Sequence, residues 1–107
     1  ATVSYPFRLS HITSGTPANS IGVGMEFEQE TSADNNEIIA TITAIVTDVT
    51  ATSEDAALVF STMVAGAAAT EGMRIVGANV IIAGDIYTDA CSIALMGQVF
   101  GAFGSRS

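Results

Sequence analysis

The sequence predicts an all-β protein: one β-sandwich-like or open-barrel domain with an extended N-terminal arm. Three observations lead to the fold class. Thr, Val and Ile are abundant while Leu is scarce and Lys absent, so two common helix formers are largely missing. Apolar and polar residues alternate along the early segments, the period of a strand with one wet face. Gly and Asx residues punctuate the chain at short intervals, as strand-connecting turns require.

Residues 1–20 read as an arm or edge strand. Tyr5, Phe7, Leu9 and Ile12 are spaced as an extended segment, but Pro6 removes a ladder donor and Ser14-Gly15-Thr16-Pro17 breaks any continuation. Residues 21–107 form the sandwich-like domain. In residues 22–30, Val23, Met25 and Phe27 alternate with Glu26 and Glu28, which predicts a strand. Gly22 and Gly24 on it point to a close backbone approach or a bulge. Ser32-Ala33-Asp34-Asn35-Asn36 supplies side chains that bond their own backbone and tolerate left-handed conformations, a hairpin turn.

Residues 37–50 carry the clearest strand pattern. Ile38, Ala40, Ile42, Ala44 and Val46 fall on one side, with Thr41, Thr43 and Thr47 on the other. At Ile45-Val46 the apolar phase changes, which calls for a bulge or for burial on both faces. Thr52-Ser53-Glu54-Asp55 is a turn, and residues 56–64 form a third strand because they lack the polar face of a helix. Gly66-Ala67-Ala68-Ala69-Thr70-Glu71-Gly72 is expected to be a loop or a single helical turn at a crowded contact. Residues 73–76 and 79–83 are two short strands joined tightly at Gly77-Ala78. Residues 90–103 are uncharged and match neither period.

Composition limits function. A length of 107 residues accommodates a single domain. Three cations against eleven carboxylates give a net charge of −8, which disfavours nucleic acid and anionic membrane surfaces as partners. No apolar run reaches the ~20 residues needed to cross a bilayer, and the N-terminal residues lack the pattern of a secretory signal. With Cys91 alone there is no intrachain disulfide framework. The 49% hydrophobic content and mean hydropathy of +0.48 exceed what a small charged-surface monomer needs. A domain of this size leaves about a third of its unfolded-chain surface exposed, so part of the apolar excess is expected at an interface between subunits.

Catalytic and metal constellations are not expected. His11 is the sole imidazole, stands in the arm and has no nucleophile elbow beside it. Asp34-Asn35-Asn36-Glu37 and the Asp85/Asp89 pair lack the ligand spacing of a calcium loop, and turn chemistry accounts for them. One His and one Cys do not make a zinc site. Glu26, Glu28 and Glu30 on one strand face are a solvated edge that opposes aggregation rather than a pair of catalytic acids. No cofactor is implied.

The succession Gly15-Thr16-Pro17-Ala18, Gly22-Val23-Gly24-Met25-Glu26-Phe27, Glu30-Thr31, Asn35-Asn36-Glu37 and Ala40-Thr41-Ile42-Thr43-Ala44-Ile45 resembles a module of tailed-phage virion proteins. The pattern continues through Thr47-Asp48-Val49-Thr50, Ser53-Glu54-Asp55, Phe60-Ser61, Gly66-Ala67-Ala68-Ala69 and Met73-Arg74-Ile75. It covers a little over half of the chain and carries no catalytic signature. The resemblance implies a trimeric, β-rich virion protein found in tail fibres, spikes and small capsid-surface proteins. Because no stem, shaft or second module accompanies it, a capsid decoration or cement protein is expected. A receptor-binding or structural module of a tail fibre is the alternative, with a small hydrolase third. The expected partners are other copies of the chain and the major capsid protein or another virion protein. Ala40, Ala44, Ala67, Ala68 and Ala69 are the candidate subunit interface, since small residues let backbones approach a symmetry axis. Tyr5, Phe7, Arg8 and Leu9 are the candidate arm that grips a shell subunit or a sister protomer.

Overall fold

A computed structural model describes residues 1–87 of the chain. The expectations for residues 90–103, including Cys91, and for Asp89 lie outside these. Five strands follow one another: β1 (Gly22–Thr31), β2 (Asn35–Asp48), β3 (Asp55–Val64), β4 (Ala67–Val76) and β5 (Asn79–Ile82). They pair in chain order as one open antiparallel sheet, a meander in which each strand lies beside its sequence neighbour. The protein is therefore all-β, and the described residues make a single layer. The second layer of a sandwich is not among them.

Turn chemistry sets the register. β1 and β2 are joined through a short 3₁₀ turn, Ser32–Asp34, in which Ala33 and Asp34 have φ of 66° and 58°. Asn35 and Asn36, expected in the turn, already belong to β2. Between β3 and β4 the two central residues of a tight turn, Ala65 and Gly66, both have positive φ, 52° and 77°, while Val64 faces Ala67 across the ladder. That backbone twist matches the twist of antiparallel strands, so the turn drives directly into another strand. Gly77, at φ 56°, opens the two-residue link from β4 to β5.

The β3–β4 turn overturns one expectation. Residues 66–72 are not a loop or helical turn: from Ala67 onward the chain is strand β4, paired with β3. The intrinsic helix preference of alanine is small and yields to ladder hydrogen bonds once the turn has fixed the direction. Gly72 is the extra residue where the register shifts, since Phe60 faces Met73 and Ser61 faces Glu71.

Besides a second shift in the same ladder, between Thr62 and Val64, two further register shifts bear on the faces of the sheet. One leaves Thr47 unopposed between Val46 and Asp48, one residue past the predicted phase change. The other leaves Ile39 unopposed, so Ile38 pairs with Glu28 while Phe27 pairs with Ala40. Ile38 consequently lines a hollow with Glu26 and Thr41, and does not share a face with Ala40 as simple alternation implied. The glycines of β1 fill the predicted role of close approach. A Cβ at Gly22 would collide with the Ala44 carbonyl oxygen, and one at Gly24 would stand 2.8 Å from the Ile42 oxygen.

Residues 1–20 contain no strand. The root of the arm is tied to the sheet. Ser20 N–H donates to the Val46 carbonyl and Val46 N–H to the Ile21 carbonyl, each at 2.8 Å, and Val49 N–H donates to Asn19 Oδ1 at 3.0 Å. His11 Nδ1 donates to the Gly22 carbonyl at 2.7 Å, which pins the chain one step further out.

Candidate assembly surfaces

The pairing register distributes side chains onto two unlike faces. On the front face, Val23, Ala44, Leu58, Ile75 and Val80 form one cross-strand row through all five strands. Met25, Ile42, Phe60, Met73 and Ile82 form the next. Phe27, Ala40, Thr62 and Thr70 continue it towards one end, and Val46 opposite Ala56 closes the other. No charged residue stands in these rows.

The reverse face is mixed. Its rows are Gly24, Thr43, Val59, Arg74 and Ile81; Gly22, Ile45, Ala57, Val76 and Asn79; and Glu26, Thr41, Ser61 and Glu71. The Arg74 guanidinium donates twice to Glu71, Nε to Oε2 at 2.7 Å and an Nη to Oε1 at 2.6 Å. This fork-to-carboxylate geometry holds the Glu71 carboxyl below its ordinary range and the Arg74 guanidinium above its own. At the end of the sheet Asp48 faces Asp55 across the ladder, two like charges in register. Thr50 hydrogen bonds, from its side chain and its backbone N–H, keep the Asp48 carboxyl below the usual range.

Burial is inverted relative to the polarity of the faces. The two buried apolar residues of the described chain, Ala57 and Val59, both stand on the reverse face of the central strand. On the charge-free front, Phe27 is 44% exposed, Leu58 37% and Val80 60%. The more hydrophobic side of the sheet is thus partly exposed, with Met25, Ile42, Phe60 and Met73 half-buried on it.

The sequence-predicted sites are dispersed by this architecture. Ala40 and Ala44 lie on the front face among the apolar rows, Ala44 exposed and Ala40 half-buried. Ala67, Ala68 and Ala69 open β4 instead, and Ala68 and Ala69 border the hollow that Glu26, Thr41 and Met63 also line, away from Ala40 and Ala44. Tyr5 and Phe7 are about three-quarters exposed at 77% and 73%, and Arg8 and Leu9 are exposed beside them. The arm root, through His11, Ile12, Thr13 and Pro17, walls a groove of about 400 Å³ over Val23, Ala44 and Val46 at one end of the front face.

The row structure of the front face was only half readable from sequence. Each strand shows its alternation, but the cross-strand pairing that aligns the rows, and the bulges at Ile39 and Gly72 beyond which it changes, have no sequence pattern. The Arg74–Glu71 pair was missed for the same reason: three residues apart in an unbulged strand, they would point to opposite faces.

Among the described residues no group of three or more His, Cys, Asp and Glu side chains is arranged to hold a metal ion. Nor is any helix there long and apolar enough to cross a membrane. Comparison with known proteins finds no matching family, no matching curated protein and no matching solved structure.

Proposed function

We propose that the chain is a non-enzymatic structural protein of a tailed-phage virion, a decoration or cement protein that binds the capsid exterior as a homotrimer across capsomer junctions. The observation that carries this is the imbalance between sheet and core. Five strands present two complete charge-free apolar rows, yet only Ala57 and Val59 are buried among the described residues. A sheet needs a second apolar layer to be stable, and other copies of the same chain supply one. The sandwich implied by the sequence is then a property of the assembly, with layers contributed by different subunits.

Charge placement supports the same function. Glu26 and Glu71 stand on the reverse face and Glu54 lies between β2 and β3, so closing copies over the front face leaves carboxylates outward. The exposed arm with Tyr5, Phe7, Arg8 and Leu9 is the contact to the major capsid protein or another virion protein. An oligomer that binds only the assembled shell stabilises it by mass action against the pressure that opens capsomer junctions.

Location in the particle tests this function. Immunogold labelling of purified virions should find many copies spread over the head. A few copies confined to the tail would replace the cement function with that of a fibre or spike module, and absence from the particle would refute both. Deleting residues 1–9 should abolish attachment to shells while the oligomer persists, and unchanged attachment would remove the arm from the contact.

A further inference from the structure

We infer that the front face of the sheet, rather than the alanine run of β4 or the arm, is the surface on which copies of this chain pack against each other. This rests on the homo-oligomeric function proposed above and adds to it the surface and the occupant.

Size is the first argument. Strands lie about 4.8 Å apart and successive rows on one face about 7 Å apart, so the four rows of the front face cover roughly 500–600 Å² per copy. Three such faces turned towards a common three-fold axis bury on the order of 1,500–1,800 Å² in the whole assembly, the scale of a standard specific protein interface. As a solvent-facing patch on a monomer, the same area would stand at the upper end of what soluble proteins tolerate, about 300–600 Å².

Charge is the second argument, and it selects the occupant. The chain carries a net charge of −8, so two copies repel each other unless they meet where carboxylates are absent. The front rows are that place. On the reverse face Glu26 and Glu71 would confront their counterparts in a second copy, and the one guanidinium of these rows among the described residues, Arg74, is already engaged by Glu71. A surface apolar across five strands is complementary to others like itself, and copies related by a three-fold axis can turn these rows towards one shared core. Ala40, Ala44 and Ala56 leave shallow positions between Phe27, Leu58 and Phe60 that can receive a partner's large side chains.

The native methionines report on this without any substitution. Met25 and Met73 stand in the second front row, Met63 lines the hollow beside Glu26 and Thr41, and all three are half-buried in the isolated chain. The unmodified protein is exposed briefly to hydrogen peroxide at a concentration where sedimentation has fixed its oligomeric state, and sulfoxide formation is read by peptide mass spectrometry. In an oligomer, Met25 and Met73 should oxidise several-fold more slowly than Met63, and should lose that protection on dilution to monomer. An oligomer with equal rates, or with Met63 protected instead, overturns the assignment of the surface and leaves the oligomeric function standing. A monomer with Met25 and Met73 protected also overturns it, because another part of the same chain then covers the face. A monomer with equal rates overturns the assignment together with the oligomeric function. As a matched pair on the edge strand, Val80→Glu should dissociate the oligomer, whereas Ile81→Glu, one residue on and on the reverse face, should not.

Discussion

Gly22 shows how tightly β1 is fitted to β2. Its missing side chain lets the strand lie against the Ala44 carbonyl, so Gly22→Ala must move backbone apart and is expected to cost about 1–3 kcal/mol, read as a fall in thermal midpoint. The glycine pair was legible as a close approach because few other reasons place two glycines in a strand. Glu71 and Arg74 carry the acid sensitivity of the reverse face. Glu71 has its carboxyl pKa depressed in the folded state, so the stability it contributes is present above the ordinary glutamate range and is lost as pH falls through the lower folded value. Acidification from neutral to below that range should therefore lower the thermal midpoint of the native chain more than that of Glu71→Gln. An equal loss in both would place the acid-sensitive contribution elsewhere, with Asp48 and its Thr50 hydrogen bonds the next group to test.

The elements divide by the kind of signal that encodes them. β1, β2 and β3 were legible from alternation, and β5 from a short apolar run after Gly77-Ala78. The first half of β4 was not, because Ala67-Ala68-Ala69 has no alternation and its strand state comes from the turn before it. That turn makes a direct prediction. Ala65 holds φ 52°, a conformation that costs alanine more than asparagine or glycine. Ala65→Asn should create the preferred Asn-Gly pair of such hairpins and raise stability by about 0.5–1 kcal/mol, whereas Gly66→Ala should lower it by a similar amount. If Ala65→Asn destabilised the protein in chemical denaturation, the β3–β4 hairpin would not have this geometry. The bulges at Ile39, Thr47 and Gly72 mark the limit of pattern reading. Each inserts one residue, and each transfers everything beyond it to the other face.

At the scale of the molecule, composition and architecture converge on the same physical problem. An apolar excess joined to a net charge of −8 means that one surface must be hidden while another is kept wet. The sheet sorts the two over most of its extent, with its uncharged rows in front, Glu26 and Glu71 behind, and Glu37 facing Gln29 beyond the end of the front rows. The sequence indicated that such sorting exists, and it put Ala40 and Ala44 on the side now seen to hold the apolar rows. It could not separate them from Ala68 and Ala69, which border the hollow beside Glu26, or show that Ala67 faces Val64 at the far end of the β3–β4 ladder. Pro6 and the Ser14–Pro17 break set residues 1–20 apart in the sequence, whereas their anchoring through Asn19, Ser20 and His11 was not legible, since those bonds join residues far apart in the chain. The central claim is that the chain completes its core with other copies of itself. Analytical ultracentrifugation of the unmodified protein at micromolar concentration tests it most directly. A single species of three chain masses is the result this account predicts, and a stable, folded monomer across that range would contradict it.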